Sequence, residues 1–149
     1  YKMAMQPSRH TQNWHAIAQT VSTNWGSIPG LLQAVDYDFL ELRKVVQGSH
    51  KTGFPYLSGP KLFNYWCYIL VTKCGVPLKN RDHIDIAVDT HVAQSSVALG
   101  VITQDEATKL TREAIAERWR RLLLGTELAP VDLNVPLWFW SRDGFTYRP

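Results

Sequence analysis

Apolar residues recur along most of this chain three and four positions apart, the spacing that builds a stripe on a helix. Trp14, Ile17, Ala18 and Val21 form the first stripe, with Ser8 or Thr11 able to cap its start and Gly26 with Pro29 closing it. Asp38 stands three residues before Glu41, a capping-box-like start, and Phe39, Leu42, Val45 and Val46 follow before Gly48. A turn-rich stretch over 48–59 leads to a second apolar helix from Pro60 to about Thr72, striped by Leu62, Phe63, Trp66, Ile69 and Leu70. Asp89 is placed to cap a helix running to about Leu99, with Gly100 behind it. Thr103 and Glu106 read as a full capping box for a long helix through Leu110, Ala114, Ile115 and Leu122. Asp132 or Asn134 can cap a last helix carrying Leu137, Phe139 and Trp140. The only strand-like alternation is Ile84-Asp85-Ile86-Ala87-Val88, too short to build a sheet. The expected fold is therefore all-α, a bundle of about six or seven short helices.

A chain of 149 residues suits one domain, residues 1–149, with a core that stands without staples. Its 45% hydrophobic and 19% charged residues exclude a disordered segment. Six tryptophans are many for this length, and most are expected in the core, as is the run Trp138-Phe139-Trp140. Cys67 and Cys74 are too few for a disulfide framework, a four-thiolate metal site or an iron–sulfur cluster. They are expected to be unbridged, in a reducing intracellular setting. No run approaches the ~18–20 apolar residues needed to cross a bilayer, and no leader peptide is read at the start. The chain opens on Tyr1, and it is expected to be a fragment or trimmed at its start. The net charge of +3 leans toward anionic partners such as nucleic acid. Arg112, Arg118, Arg120 and Arg121 alternate with Glu113 and Glu117 and read as a solvated, self-paired helix face. His83, Asp85, Asp89 and His91 are dense, but their spacing fits no common zinc pattern, so no metal is expected.

Two segments carry chemistry. One is Leu57-Ser58-Gly59-Pro60-Lys61-Leu62-Phe63-Asn64; the other is Ile86-Ala87-Val88-Asp89-Thr90-His91-Val92. Together they resemble the hairpin and the following Val-Asp-Thr-His motif of the helix-hairpin-helix DNA glycosylase superfamily, in particular its endonuclease III-like and archaeal 8-oxoguanine glycosylase-like members. Gly59, Lys61 and Asn64 keep that family's order, and the resemblance runs from about Leu57 to Gly144. Gln6 echoes a glutamine at the end of the family's first barrel helix. The hairpin is shorter than the usual Leu-Pro-Gly-Val-Gly-x-Lys, and the 28 residues from Lys61 to Asp89 (89 − 61) exceed the endonuclease III spacing. A rival alignment makes 53–70 an earlier barrel helix and Lys61 structural.

The resemblance implies a single helical glycosylase-like domain lacking the first helices of the family fold. It implies a cofactor-free monomer acting on double-stranded DNA with a damaged base, in the cytoplasm beside the nucleoid or in another intracellular DNA compartment. Leu57, Ser58, Gly59, Lys61, His91 and Gln6 would contact DNA. A tight turn before a helix exposes backbone N–H groups that can hold a phosphate without reading sequence. An extruded nucleotide would bring its sugar beside Asp89, whose carboxylate stabilises the positive charge that develops as the N-glycosidic bond breaks. Lys61, as a neutral amine, would attack the sugar and form a Schiff base, adding lyase activity; with Lys61 elsewhere, Asp89 would activate water. Asp89 as a plain helix cap and Lys61 as a solvated lysine are the structural alternatives. At the level of function, the alternative is a non-catalytic helical DNA-binding module.

Overall fold

Side-chain caps start five of the eight α-helices among the described residues. The computed structural model of the chain describes residues 7–146, so Gln6 lies outside the described residues. Among those residues there are eight α-helices and no β-strand: α1 (Pro7–Trp25), α2 (Ile28–Ala34), α3 (Phe39–Lys44), α4 (Pro60–Thr72), α5 (Thr90–Ala98), α6 (Gln104–Lys109), α7 (Arg112–Leu122) and α8 (Asn134–Arg142). Helix α3 runs on into a π turn, Val45–Ser49, and short 3₁₀ turns lie at Lys51–Gly53, Arg81–His83 and Pro130–Leu133.

The all-α expectation holds, and two local readings are corrected. Pro29 does not merely close α1; it sits in the first turn of α2, where a missing N–H costs nothing, and Ser27 Oγ accepts from Gly30 N at 3.1 Å. The long helix expected from Thr103 to beyond Leu122 is broken. Thr103 and Glu106 form their reciprocal box, but Leu110 is extended at ψ 144°, and Thr111 Oγ1 caps a fresh helix by accepting from Ala114 N at 3.2 Å. A second cap so close to the first competes with continuation of the helix.

Buried apolar side chains gather in two clusters. The first takes Leu31, Phe39, Leu42, Phe54, Phe63 and Cys67 from the α2–α4 region. Its Phe39 and Phe63 rings stack at 5.6 Å. Gly53 is held close to α1, since a Cβ there would lie 2.5 Å from Thr20 Oγ1. The second takes Val92, Ile102, Ile115, Trp119 and Leu137 from α5 to α8. Residues 84–88 cross from one cluster to the other: Ile84 is buried in the first, Ile86 and Val88 in the second. The expectation that 84–88 is extended holds at Ile84 and is corrected beyond it: the Val88 N–H donates back to the Ile86 carbonyl at 3.1 Å, a tight turn with Ala87 also buried, and the segment pairs with no neighbouring strand. The chain returns through Ala129 and Val131, both in the first cluster, before entering α8.

Of the six tryptophans only Trp119 is fully buried, and Trp14 is 74% exposed. The expectation that most would be core is therefore corrected; the indoles sit mainly at edges where one face is covered. Trp119 donates from Nε1 to Ser96 Oγ at 2.9 Å, and Ser95 Oγ donates to the Leu137 carbonyl at 2.7 Å, so buried polar groups tie α5 to α7 and α8. Cys67 is buried and Cys74 exposed, and both are free; burial pushes the Cys67 thiol pKa well above its usual range.

Asp38 ties α3 to the connector before residue 84. Its Oδ1 accepts from Leu40 N at 2.8 Å and Glu41 N at 3.1 Å, and its Oδ2 accepts from Asn80 Nδ2 at 2.6 Å. Partial burial raises the carboxyl pKa, but these hydrogen bonds and the Lys79 charge outweigh it, and the net pKa is lowered. A group depressed in the folded state adds stability above its unfolded pKa, near ~4, and loses it as pH falls through the lower folded value. Asp38→Ala is expected to destabilise the protein by about 1 kcal/mol at neutral pH. In urea unfolding from pH 7 to pH 2.5 the gap between variant and wild type should shrink below pH ~4. A constant gap would show that the charge of Asp38 adds nothing beyond the cap.

Candidate active site

Glycine and proline begin α4 and leave its first turn without a side-chain cap. The preceding turn is closed by Ser58 N donating to the Phe54 carbonyl at 3.0 Å and by Gln47 Nε2 donating to the Leu57 carbonyl at 3.3 Å. Gly59 occupies the cap position with no side chain to accept, and Pro60 follows with no N–H to offer. The N–H groups that open α4 therefore have no side-chain acceptor. Leu57 packs against the first cluster.

Asp89 reaches its position by a different route. The Ala87 N–H, buried, donates to Asn134 Oδ1 at 3.0 Å, which fixes the connecting segment against the start of α8. Asp89 follows as the N-cap of α5, with Oδ1 accepting from Val92 N at 3.0 Å. Oδ2 has no hydrogen-bond partner among the described residues. The capping role and a chemical role are thus compatible in one carboxylate.

Lys61, from the start of α4, and Asp89 line one cleft of about 340 Å³ between the two clusters. Its walls are Leu62, Tyr65, Trp138 and Phe139. Leu62, Tyr65 and Phe139 are each 44% exposed, an unusual concentration of open apolar surface beside two charged groups. Trp138 meets Phe139 edge-on at 5.3 Å, and the Arg142 guanidinium lies 4.3 Å from the Phe139 centroid. The expectation that Trp138-Phe139-Trp140 would be core is corrected here: Trp138 and Trp140 are half-buried, and Phe139 opens on the cleft. Lys61 has no ion-pair partner among the described residues, so its amine is not neutralised by a neighbouring carboxylate.

A second cavity, of about 550 Å³, adjoins the cleft and shares Lys61, Leu62 and Ala87 with it. Its far wall carries Asn64, Asp85, Glu117 and Arg120. Arg120 pairs with Asp85 and Glu117, Arg121 with Glu117 at 2.9 Å and Arg118 with Glu106 at 2.7 Å, so the self-paired face expected of α7 holds only at Glu117, and Arg118 and Arg120 reach carboxylates outside the helix. Arg120 Nε is buried without a partner. His91 is half-buried, its Nδ1 3.1 Å from Ser141 Oγ and its ring edge-on to Trp138 at 5.2 Å; it lines neither cavity. Among the described residues no three His, Cys, Asp or Glu side chains are grouped to hold a metal ion.

Sequence reasoning named Lys61 and Asp89 but missed Tyr65 and Phe139 as cleft walls. A signal existed for Tyr65: with Leu62 it forms an i, i+3 pair off the stripe made by Phe63, Cys67 and Leu70, so α4 carries apolar residues on more than one face. Comparison of the chain with known protein families, curated proteins and solved structures finds no match.

Asn134→Ala removes the acceptor of the buried Ala87 N–H. It should cost about 1–3 kcal/mol in urea unfolding, the penalty for an unmet buried donor. A loss below ~0.5 kcal/mol would mean that the connecting segment does not depend on this bond.

Proposed function

We propose that this protein is a DNA N-glycosylase that holds the sugar of an extruded nucleotide between Lys61 and Asp89. The observation that carries this reading is that two residues 28 positions apart, one amine and one carboxylate, line the same aromatic-walled cleft. The uncapped start of α4 supports it, because those N–H groups can grip a flanking phosphate beside the cleft. Tyr65 and Phe139 offer open faces to bases unstacked from the duplex.

The chemistry follows from these groups. Lys61 Nζ gives its proton to solvent and attacks C1′, the C1′–N bond breaks with its electron pair on the base, and the base takes up a proton. The amine then loses a proton, its lone pair forms the C1′=N bond as the C1′–O4′ bond breaks with its electron pair on O4′, O4′ takes up a proton, and a protonated Schiff base remains. Positive charge on the sugar peaks while the old bond is breaking. The Asp89 carboxylate, with Oδ2 unpaired, stabilises that charge more than it stabilises the neutral ground state.

Two outcomes test this reading. Base release from a panel of duplexes carrying oxidised, deaminated and alkylated bases should be seen for at least one lesion. Asp89→Asn should slow it by roughly 100-fold or more while DNA affinity stays within about threefold. Release at the wild-type rate by Asp89→Asn would remove the mechanism, and no release from any duplex would favour a DNA-binding module without chemistry. Affinity for undamaged duplex should fall at least about tenfold between 50 and 200 mM salt, since phosphate contacts dominate such binding; a flat profile would count against DNA as the partner.

A further inference from the structure

His91 stands in the first turn of α5, with its Nδ1 3.1 Å from Ser141 Oγ on α8. Ser141 Oγ in turn donates to Gln94 Oε1 at 2.8 Å. A hydroxyl has one proton to give, and its oxygen accepts with the lone pairs that remain. The Ser141 proton goes to Gln94, so toward His91 the oxygen can only accept, and Nδ1 is the donor. A neutral imidazole with its proton on Nδ1 carries a lone pair on Nε2. Nε2 has no hydrogen-bond partner among the described residues and is not enclosed, since Arg120 Nε is the one buried side-chain atom left unpaired among them. The lone pair is therefore open to solvent. Charged groups of the helices packed on α5 are engaged elsewhere. On α8, Arg142 pairs with Asp143 and lies over the Trp138 ring; on α6, Lys109 pairs with Asp105 and Glu106 with Arg118; Asp89 caps α5 through Oδ1. None of them pairs with His91 among the described residues.

We propose that Gln94, acting through Ser141, keeps the proton of neutral His91 on Nδ1, and so makes the contact of His91 with DNA phosphate conditional on proton uptake at Nε2. The inference rests on DNA as the partner and not on base release. A phosphate oxygen only accepts, so a lone pair on Nε2 repels it. Once Nε2 takes a proton from solvent, the imidazolium donates from both nitrogens, Nδ1 to Ser141 and Nε2 to the phosphate, and the second bond is charge-assisted. Gln94 and Ser141 are positioning residues: they decide which nitrogen meets the phosphate without touching it. The bound phosphate favours the charged imidazole. The contact is therefore fully present below the ordinary histidine range, near ~6.5, and is lost as pH rises through and beyond it.

Imidazole ¹⁵N NMR of the free full chain reads the tautomer directly. At about pH 8.5, where histidine is neutral, His91 should show a protonated, pyrrole-type Nδ1 and an unprotonated, pyridine-type Nε2. Gln94 is exposed, so Gln94→Ala is expected to fold. It frees the Ser141 proton to turn to Nδ1, and the pattern should reverse. Gln94→Glu keeps an acceptor for Ser141 and should restore the wild-type pattern. A proton on Nε2 in the wild type, or a pattern unchanged in Gln94→Ala, overturns the proposal. Affinity for undamaged duplex DNA at constant salt should fall about fivefold from pH ~6 to pH ~8 in the wild type. The fall should shrink to about twofold or less in His91→Gln, which separates His91 from the other histidines, and in Gln94→Ala, whose neutral ring can donate from Nε2. A flat wild-type profile, or the same fall in His91→Gln, also overturns it. A flat profile with Asp89-dependent base release intact would remove only the proton-linked contact. The predicted pH dependence without base release from any duplex would leave a proton-linked DNA-binding module and remove the glycosylase reading.

Discussion

The hydrogen bond from the Ala87 N–H to Asn134 Oδ1 is the joint on which the site depends. Five residues cross between two apolar clusters with no strand beside them; the Ile84 and Val88 N–H groups turn back to the Arg81 and Ile86 carbonyls at 2.9 and 3.1 Å. Side-chain anchoring replaces a ladder: Ile84 is buried on one side, Ile86 and Val88 on the other, and Asn134 takes the donor between them. Ile86, Ala87 and Val88 are consecutive buried residues, so burial on several sides together with the Asn134 bond holds the segment in place. Asp89 is the next residue after this fixed stretch, so its place at the cleft follows from packing rather than from a loop that happens to reach there.

Opposite it, α4 brings Lys61 by a complementary device. Phe63, Cys67 and Leu70 hold one face of the helix in the first cluster, which turns Leu62 and Tyr65 toward the cleft. Gly59 and Pro60 leave the helix start without a cap, so a partial positive charge faces the same region. Arginines elsewhere on the surface are mostly committed to carboxylates, whereas Lys61 is not. Arg9, Arg43, Lys51, Lys73 and Arg112 also lack an ion pair among the described residues, but of these free cations only Lys61 lines the cleft.

Helices with a strong stripe and a capping side chain were legible from sequence: α4, α5 and the capping box of α6 lie where their residues put them. The misread positions share a cause. Pro29 and Thr111 each carry a local signal that can stop a helix or start one, and only the packing around them decides which. The tryptophans were misplaced because area alone says that a large ring gains by burial, while a cleft wall covers one face and leaves the other open. Lys61 and Asp89 could be named because a motif carried them. Their approach to one cleft is a tertiary fact, set by two separate cores, and no local pattern encodes it.

The central claim is that the Asp89 carboxylate faces the sugar of a nucleotide held beside Lys61. DNA carrying a pyrrolidine in place of the sugar presents a cationic nitrogen near the position where charge develops, and tetrahydrofuran DNA presents the same shape without charge. Competition binding of the two should favour the pyrrolidine by about 100-fold or more, the range expected of a transition-state mimic, and Asp89→Asn should reduce the preference to about tenfold or less. Equal affinity of the wild type for both, or a preference unchanged in Asp89→Asn, would contradict it.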